Sequence, residues 1–371
     1  MNTLFMPTKI GALEVRNRFV RSATFDAGAD NWEVSKWQME LFSNLAEKGA
    51  GLIISGIFHV VQDVGIPPWQ NLLTEDRFIP NLRRLVDSVH AHGSKLAVQL
   101  FNSGRTAYRR LSPLGIEALG PSAIKAGEDP YFEGGCRAMN EDEIWTIVRG
   151  FGEATRRARE AGCDSVQIHG AHAYLLAEFL SPQSNRRRDD WGGSLDNRLK
   201  LHREIYRAAR EFAGPDFPIM IKLGVADGIP DGLELEEGLA AAEQLARLGY
   251  DAIEVSQGLR GTDYAQTEFK TAILKREQEA YFRDWTKQVK GRVNVTTIIM
   301  GGLRSFDLME EIVAAGDADF VALCRPLIRE PHLIAAWSGG DFRKPTCISC
   351  NKCFENVISG GRLRCMIAAE N

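Results

Sequence analysis

At 371 residues, with 44% hydrophobic and 25% charged side chains, the chain has the composition of an ordinary globular protein able to bury a core, so disordered and fibrous classes are excluded. Its 45 basic and 49 acidic residues leave a formal charge of −4, which offers no electrostatic footprint for nucleic acid. The opening MNTLFMPTKIGALEVRNR lacks the charged and apolar regions of a secretory signal. The most apolar run, residues 51–61, is broken by Ser55 and His59 and is far shorter than the roughly 18 apolar residues a membrane span needs. A cytoplasmic protein without membrane association is therefore expected.

Eight short β-rich runs follow in chain order, at residues 18–23, 51–56, 95–101, 165–168, 218–223, 252–256, 293–299 and 319–323. Helical spacing fills most of the gaps. Trp37, Leu41, Leu45 and Ala46 share one face of 35–48, and Leu82, Leu85, Val86 and Val89 one face of 75–92. The third helix, 141–161, opens after Asn140 with Glu143 three residues on, a capping-box pattern. Segments 196–212, 234–248 and 305–315 repeat the plan. Strand, helix, glycine, strand implies a parallel sheet, and eight units favour a (β/α)8 TIM barrel over an open doubly wound sheet. No GxGxxG follows the first strand, which weakens the dinucleotide-binding version of the open sheet. Elaborated loops are predicted after strands 3, 4 and 6, with 102–140 and 257–275 as the clearest insertions. The barrel is assigned to residues 1–338 and a cysteine-rich extension packed on it to residues 339–371.

Strand exits are where barrels keep their chemistry. The seventh and eighth exits carry Gly301-Gly302 and Cys324-Arg325, glycines for close backbone approach and a guanidinium that can fork onto phosphate, against the alternative of turn glycines and a surface arginine. The fourth exit presents His169, His172 and Tyr174. They read either as core side chains or as hydrogen-bond donors to a carbonyl or phenolate oxygen with a proton source beside them, and the neighbourhood lacks the further ligands a metal would want. Lys222 ends the apolar IMIKLG run and needs a partner, either a structural carboxylate or an anionic cofactor ring. Gln99 closes the third strand, where its amide could both donate to and accept from a heterocycle edge.

HGAHAYLLAEFLSPQSNRRRDDWGGSLDNR, together with LFMPTKIGALEVRNRFVRSAT, VQLFNSGR, MGGLRS and CRPLIREP in the same order, resembles the old yellow enzyme family of FMN-dependent ene-reductases over nearly the whole chain. The resemblance implies that the backbone at Ser22, Ala23 and Thr24 and around Gly56 holds the flavin, that Gln99 meets its pyrimidine edge, and that Lys222 stabilises negative charge on the reduced ring. It also implies that Gly301, Gly302, Cys324 and Arg325 hold the phosphate. His169 and His172 would hold the oxygen of a small enone-type substrate and Tyr174 would donate the proton. NADH or NADPH would supply hydride to FMN, which would pass it to the β-carbon of an α,β-unsaturated carbonyl compound.

Four of the seven cysteines fall in the last 25 residues, as Cys347, Cys350, Cys353 and Cys365. This segment resembles the cluster-binding stretch of the dienoyl-CoA reductase branch, with its second gap one residue shorter. A 4Fe-4S cluster, structural zinc and four reduced thiols are the three readings. The first implies an iron-sulfur flavoprotein, dienoyl-CoA reductase-like or demethylase-like, that exchanges electrons with a donor protein. Zinc would suit an interaction tail on a barrel whose catalysis has lapsed. A homo-oligomer is compatible with every reading.

Overall fold

The computed structural model describes residues 2–367. Eight parallel strands, labelled here β1 (Phe19–Arg21), β2 (Leu52–His59), β3 (Lys95–Phe101), β4 (Ser165–Gly170), β5 (Ile219–Gly224), β6 (Ala252–Ser256), β7 (Thr296–Ile299) and β8 (Phe320–Leu323), pair in sequence. The pairing of β8 with β1 and of β1 with β2 closes them into a barrel. The expected (β/α)8 TIM barrel is what the chain forms. Helices α1 (Lys36–Glu47), α2 (Ile79–His90), α3 (Glu141–Glu160), α4 (Lys200–Ala213), α5 (Leu235–Leu248), α6 (Arg283–Lys290), α7 (Phe306–Ala314) and α8 (Leu333–Ser338) follow β1 to β8 in turn. The Asn140 side chain accepts from Glu143 N and Glu143 reaches back to Asn140 N, each at 2.9 Å, so the capping box at α3 forms as predicted.

Side chains alternate across each strand with period two. On β5, Ile221 and Leu223 face the helices while Met220 and Lys222 face inward. The lower interior is apolar, filled by Val20, Leu52, Ile54, Ala97, Met220, Ala252, Ile298, Phe320 and Ala322. Ile10 and Val15 join that cluster from an N-terminal hairpin, Thr8–Ile10 paired with Leu13–Val15, which closes the bottom of the barrel. The larger core lies between the outer strand faces and the helices, where Phe151, Ile205 and Trp337 are almost wholly withdrawn from solvent. Burial of each such side chain contributes roughly 1.5–3 kcal/mol relative to exposure. Where β5 runs into the base of α5, a β-carbon on Gly238 would meet Val225 O at 1.8 Å, so only glycine permits that approach.

The long insertions sit where they were expected, after β3, β4 and β6. The β3 loop carries a small parallel pair, Ala118–Gly120 with Cys136–Ala138. The β4 loop includes the buried helix Leu175–Leu180 before Ser194 caps the turn Leu195–Arg198. No described helix is long and apolar enough to cross a membrane.

Candidate active site

A cavity of about 860 Å³ opens at the C-terminal end of the barrel, within the range that takes a cofactor and a small ligand together. Ser22, Ala23 and Thr24 line it from the β1 exit, Gln99 from β3, Lys222 from β5, Gly301 and Gly302 from the β7 exit, and Cys324 and Arg325 from β8. His169, His172 and Tyr174 line it from the β4 exit. Gly56 is the exception among the predicted cofactor residues. It stands behind the wall, where a β-carbon would meet Thr24 O at 2.9 Å, and it lets β1 and β2 close together instead of touching the cavity.

The floor is a buried polar chain. Gln99 Nε2 donates to Gln167 Oε1 at 2.7 Å, and Gln167 Nε2 donates to Glu254 Oε2 at 2.8 Å. Glu254 Oε1 accepts from Ser22 Oγ at 2.7 Å and lies 3.1 Å from Lys222 Nζ, which also donates to Ser22 Oγ at 3.0 Å. Lys222 thus has the structural carboxylate partner that its position demanded, and it still faces the cavity. Glu254 and Gln167 are the residues that sequence reasoning missed here. Their signal was present, a charge inside AIEVS and an amide inside SVQIHG, the same kind of interruption that marked Lys222.

The β4 exit assembles the predicted trio. The rings of His169 and His172 lie 5.0 Å apart, and those of His169 and Tyr174 5.2 Å apart. His172 and Ala173 both adopt positive φ, +64° and +58°, a costly conformation for such residues that persists where the surroundings enforce it. His172 Nε2 lies 2.7 Å from Ser256 Oγ and its Nδ1 3.7 Å from Glu268 Oε1, whereas His169 Nδ1 is buried with no hydrogen-bond partner among the described residues. Burial and the nearby charges of Lys222 and Arg260 hold both imidazoles well below the usual histidine range, so they are neutral donors at pH 7.

Arg260 and Glu268, from the β6 loop, were not anticipated. Arg260 Nη2 lies 2.8 Å from Glu268 Oε1 and donates to His172 O at 2.5 Å, and its guanidinium sits 5.6 Å from the centre of the Tyr174 ring. This pair braces the strained His172 backbone from above. On the opposite wall Arg105 pairs with Asp129 at 2.8 Å, both buried. Burial outweighs Arg105 at Glu178 and pushes that carboxyl up to about 8, so Glu178 is a core group of the β4 loop.

At the phosphate end, Gly301 and Gly302 have φ of +107° and +70°, and β-carbons there would run into the Tyr281 ring at 2.8 Å. Only glycine at these positions lets the β7 exit lie this close against Tyr281 at the cavity wall. Thr24 Oγ1 lies 3.1 Å from Cys324 Sγ. Arg325 Nη1 donates to Lys270 O at 2.8 Å and to Asn351 Oδ1 at 2.6 Å.

Cys347, Cys350, Cys353 and Cys365 do come together, lining one cavity of about 20 Å³ beside Arg325 and Arg329. Among the described residues no group of three or more His, Cys, Asp or Glu side chains is arranged to hold a metal ion. Burial raises the Cys347 thiol and pushes Cys353 up to about 11, while Cys365 Sγ is engaged by Arg329 Nη1 at 3.4 Å. The arrangement of these thiols does not by itself show the predicted cluster or zinc site. The last four residues of the predicted extension, 368–371, lie outside the described residues.

Residues 3–339 match the sequence model of the NADH:flavin oxidoreductase / NADH oxidase family. A metal reductase of Desulforamulus reducens is 34% identical over 375 residues, a match covering 100% of this chain and 54% of that protein. An NADPH dehydrogenase of Geobacillus sp. (strain WCH70) is 32% identical over 331 residues, covering 89% of this chain and 92% of its own. Among solved structures, 2-naphthoyl-CoA reductase in complex with 2-naphthoyl-CoA superposes with a TM-score of 0.88 at 27% identity, over 99% of this chain and 57% of that one. The chain thus spans about half the length of the metal reductase and of the naphthoyl-CoA enzyme.

Proposed function

The chain belongs to the NADH:flavin oxidoreductase / NADH oxidase family, as its old yellow enzyme resemblance implied, and on that premise we propose that it takes hydride from NADH or NADPH onto FMN and reduces the activated C=C bond of an α,β-unsaturated carbonyl compound. The observation that carries this reading is the convergence of His169, His172 and Tyr174 on the same cavity that Lys222 floors and that Gly301, Gly302, Cys324 and Arg325 close.

FMN, when bound, supplies the hydride chemistry, and the chain supplies orientation and electrostatics. The buried Nδ1 of His169 without a partner and the side-chain-free cradle at Gly301 and Gly302 fit such a ligand. Gln99 would meet the pyrimidine edge, the Lys222 ammonium would stabilise negative charge on the ring, the backbone at Ser22–Thr24 would hold its flank, and Gly301 to Arg325 would take the phosphate. His169 and His172, both neutral, polarise the substrate carbonyl by donating N–H bonds, His172 exchanging its Ser256 contact to do so. Tyr174 protonates the α-carbon from its hydroxyl. Purified protein should be yellow, bleach anaerobically with NADH or NADPH, and recover its colour on addition of cyclohexenone. A colourless protein that refuses FMN would sink the reading.

A second reading rests on the four tail cysteines sharing one cavity. If that cavity expands around a thiolate-held cluster, the protein becomes an iron-sulfur flavoprotein served by an electron-donor protein. Iron and acid-labile sulfide in anaerobically purified protein, about four of each per chain for a 4Fe-4S centre, are its requirement, and the absence of both removes it.

A further inference from the structure

Arg325 lines both the large cavity and the small one enclosed by the tail cysteines, and Asn351 lines both with it. Asn351 lies between Cys350 and Cys353, is only 1% exposed, and has φ of +60°, a left-handed conformation that asparagine tolerates better than most residues. Both ends of its amide are used. Oδ1 accepts from Arg325 Nη1 at 2.6 Å, and Nδ2 donates to Phe269 O at 2.7 Å. Because Arg325 Nη1 also reaches Lys270 O at 2.8 Å, one amide ties the tail, the β8 exit and the β6 loop into a single seam. Ala272 N donates to Ser349 O at 3.1 Å and Arg304 Nη2 to Pro345 O at 2.8 Å along the same seam.

A guanidinium is a rigid planar fork, so fixing one terminal nitrogen against an amide oxygen and a carbonyl fixes where its other N–H groups point. We propose that Asn351 is a positioning residue for the flavin phosphate, setting the plane of Arg325 before the cofactor arrives. The inference rests on the FMN reading above and extends the cofactor site into the cysteine tail. Asn351 touches no reacting atom. Its contribution is that Arg325 pays little ordering entropy when phosphate binds.

FMN and riboflavin differ only by the phosphate, so their affinity ratio isolates this role. The full chain is stripped of flavin and titrated with each ligand, following flavin fluorescence. Wild type should prefer FMN. Asn351→Gly keeps the left-handed backbone and removes both amide bonds; it should lower the FMN preference about tenfold, the worth of one charge-assisted hydrogen bond, while riboflavin affinity stays within about twofold. Asn351→Asp keeps the acceptor but sets a carboxylate against the Arg325 guanidinium, where it competes with the phosphate for that charge, and should lower the preference further. Equal losses for both flavins, or an unchanged preference, in either variant would overturn the inference by reducing Asn351 to a structural role. If Asn351→Gly fails to fold, Asn351→Asp decides alone. A wild type with no preference for FMN over riboflavin would instead overturn the FMN reading itself, and the inference with it.

Discussion

Lys222 and Glu254 are register partners on β5 and β6, with Nζ 3.1 Å from Oε1 and both side chains almost wholly buried. A pair so placed is costly to break from one side, because the survivor is left charged in a poorly solvated floor. Lys222→Met or Glu254→Gln alone is expected to destabilise the fold by about 3–5 kcal/mol, read from urea unfolding. The double variant Lys222→Met with Glu254→Gln should lose less than the sum of the two singles. Additive losses would show that the two groups do not stabilise one another. In flavin-loaded Lys222→Met that folds, the flavin midpoint potential should fall.

On the proposed mechanism the Tyr174 hydroxyl has a separate task from the histidines. In Tyr174→Phe, anaerobic reduction of the flavin by NADH or NADPH should proceed at close to the wild-type rate, while reoxidation by an enone slows about 10²- to 10⁴-fold, the usual worth of a positioned general acid. Stopped-flow absorbance separates the two half-reactions. Unimpaired reoxidation would assign the proton to another group.

Gly301 offers a test of the cradle. A β-carbon there would stand 2.8 Å from the Tyr281 ring and 2.9 Å from Phe282, at a φ of +107°. Tyr281 donates its hydroxyl to Glu268 O at 2.6 Å, so displacing its ring would also disturb the loop that braces His172. Gly301→Ala is therefore expected to purify with a lowered flavin-to-protein absorbance ratio and to lose about 1–3 kcal/mol of stability. Full flavin content with an unchanged unfolding midpoint would contradict the cradle.

The barrel was legible because its evidence is local. Strands β3 and β6 have the very bounds that their β-rich runs predicted, and helices α1, α3 and α5 start and stop within one residue of their predicted bounds. Helix α6 was not read, since RDWTKQVK is mostly polar and buries only Thr286 and Val289 in its middle and last turns. Within the site, Gln99, His169, His172, Tyr174, Lys222, Gly301, Gly302, Cys324 and Arg325 could be found from the strand pattern, whereas Ser22, Ala23 and Thr24 came only from the family resemblance. Arg260 and Glu268 could not be found, because they act from a loop whose conformation depends on contacts with Tyr174, Tyr281 and the tail. The cysteine tail shows the converse: its spacing brought four thiols to one cavity, but spacing says nothing about the volume between them.

The acid and alkaline flanks of stability should be separable by single substitutions. His202 is fully buried in α4 with neither ring nitrogen hydrogen-bonded among the described residues, and burial holds it down at about 3. A histidine depressed in the fold takes up protons more readily when unfolded, so its contribution is complete above about pH 6.5 and is lost as pH falls toward 3. By pH 5 that loss is about 2 kcal/mol. Glu178 works in the opposite sense. Raised to about 8 by burial, it is protonated in the fold, and its contribution is complete below the ordinary glutamate range and is lost as pH rises toward 8. Between about pH 4.5 and 6.5 the two slopes oppose one another and wild-type stability conceals both. Relative to wild type, His202→Leu should tilt the urea midpoint upward as pH falls from 6.5 to 5, exposing Glu178, whereas Glu178→Gln should tilt it downward over that window, exposing His202, and should flatten the fall between pH 6.5 and 8. If His202→Leu leaves the pH profile below 6.5 unchanged, protonation of this histidine does not drive the acid transition.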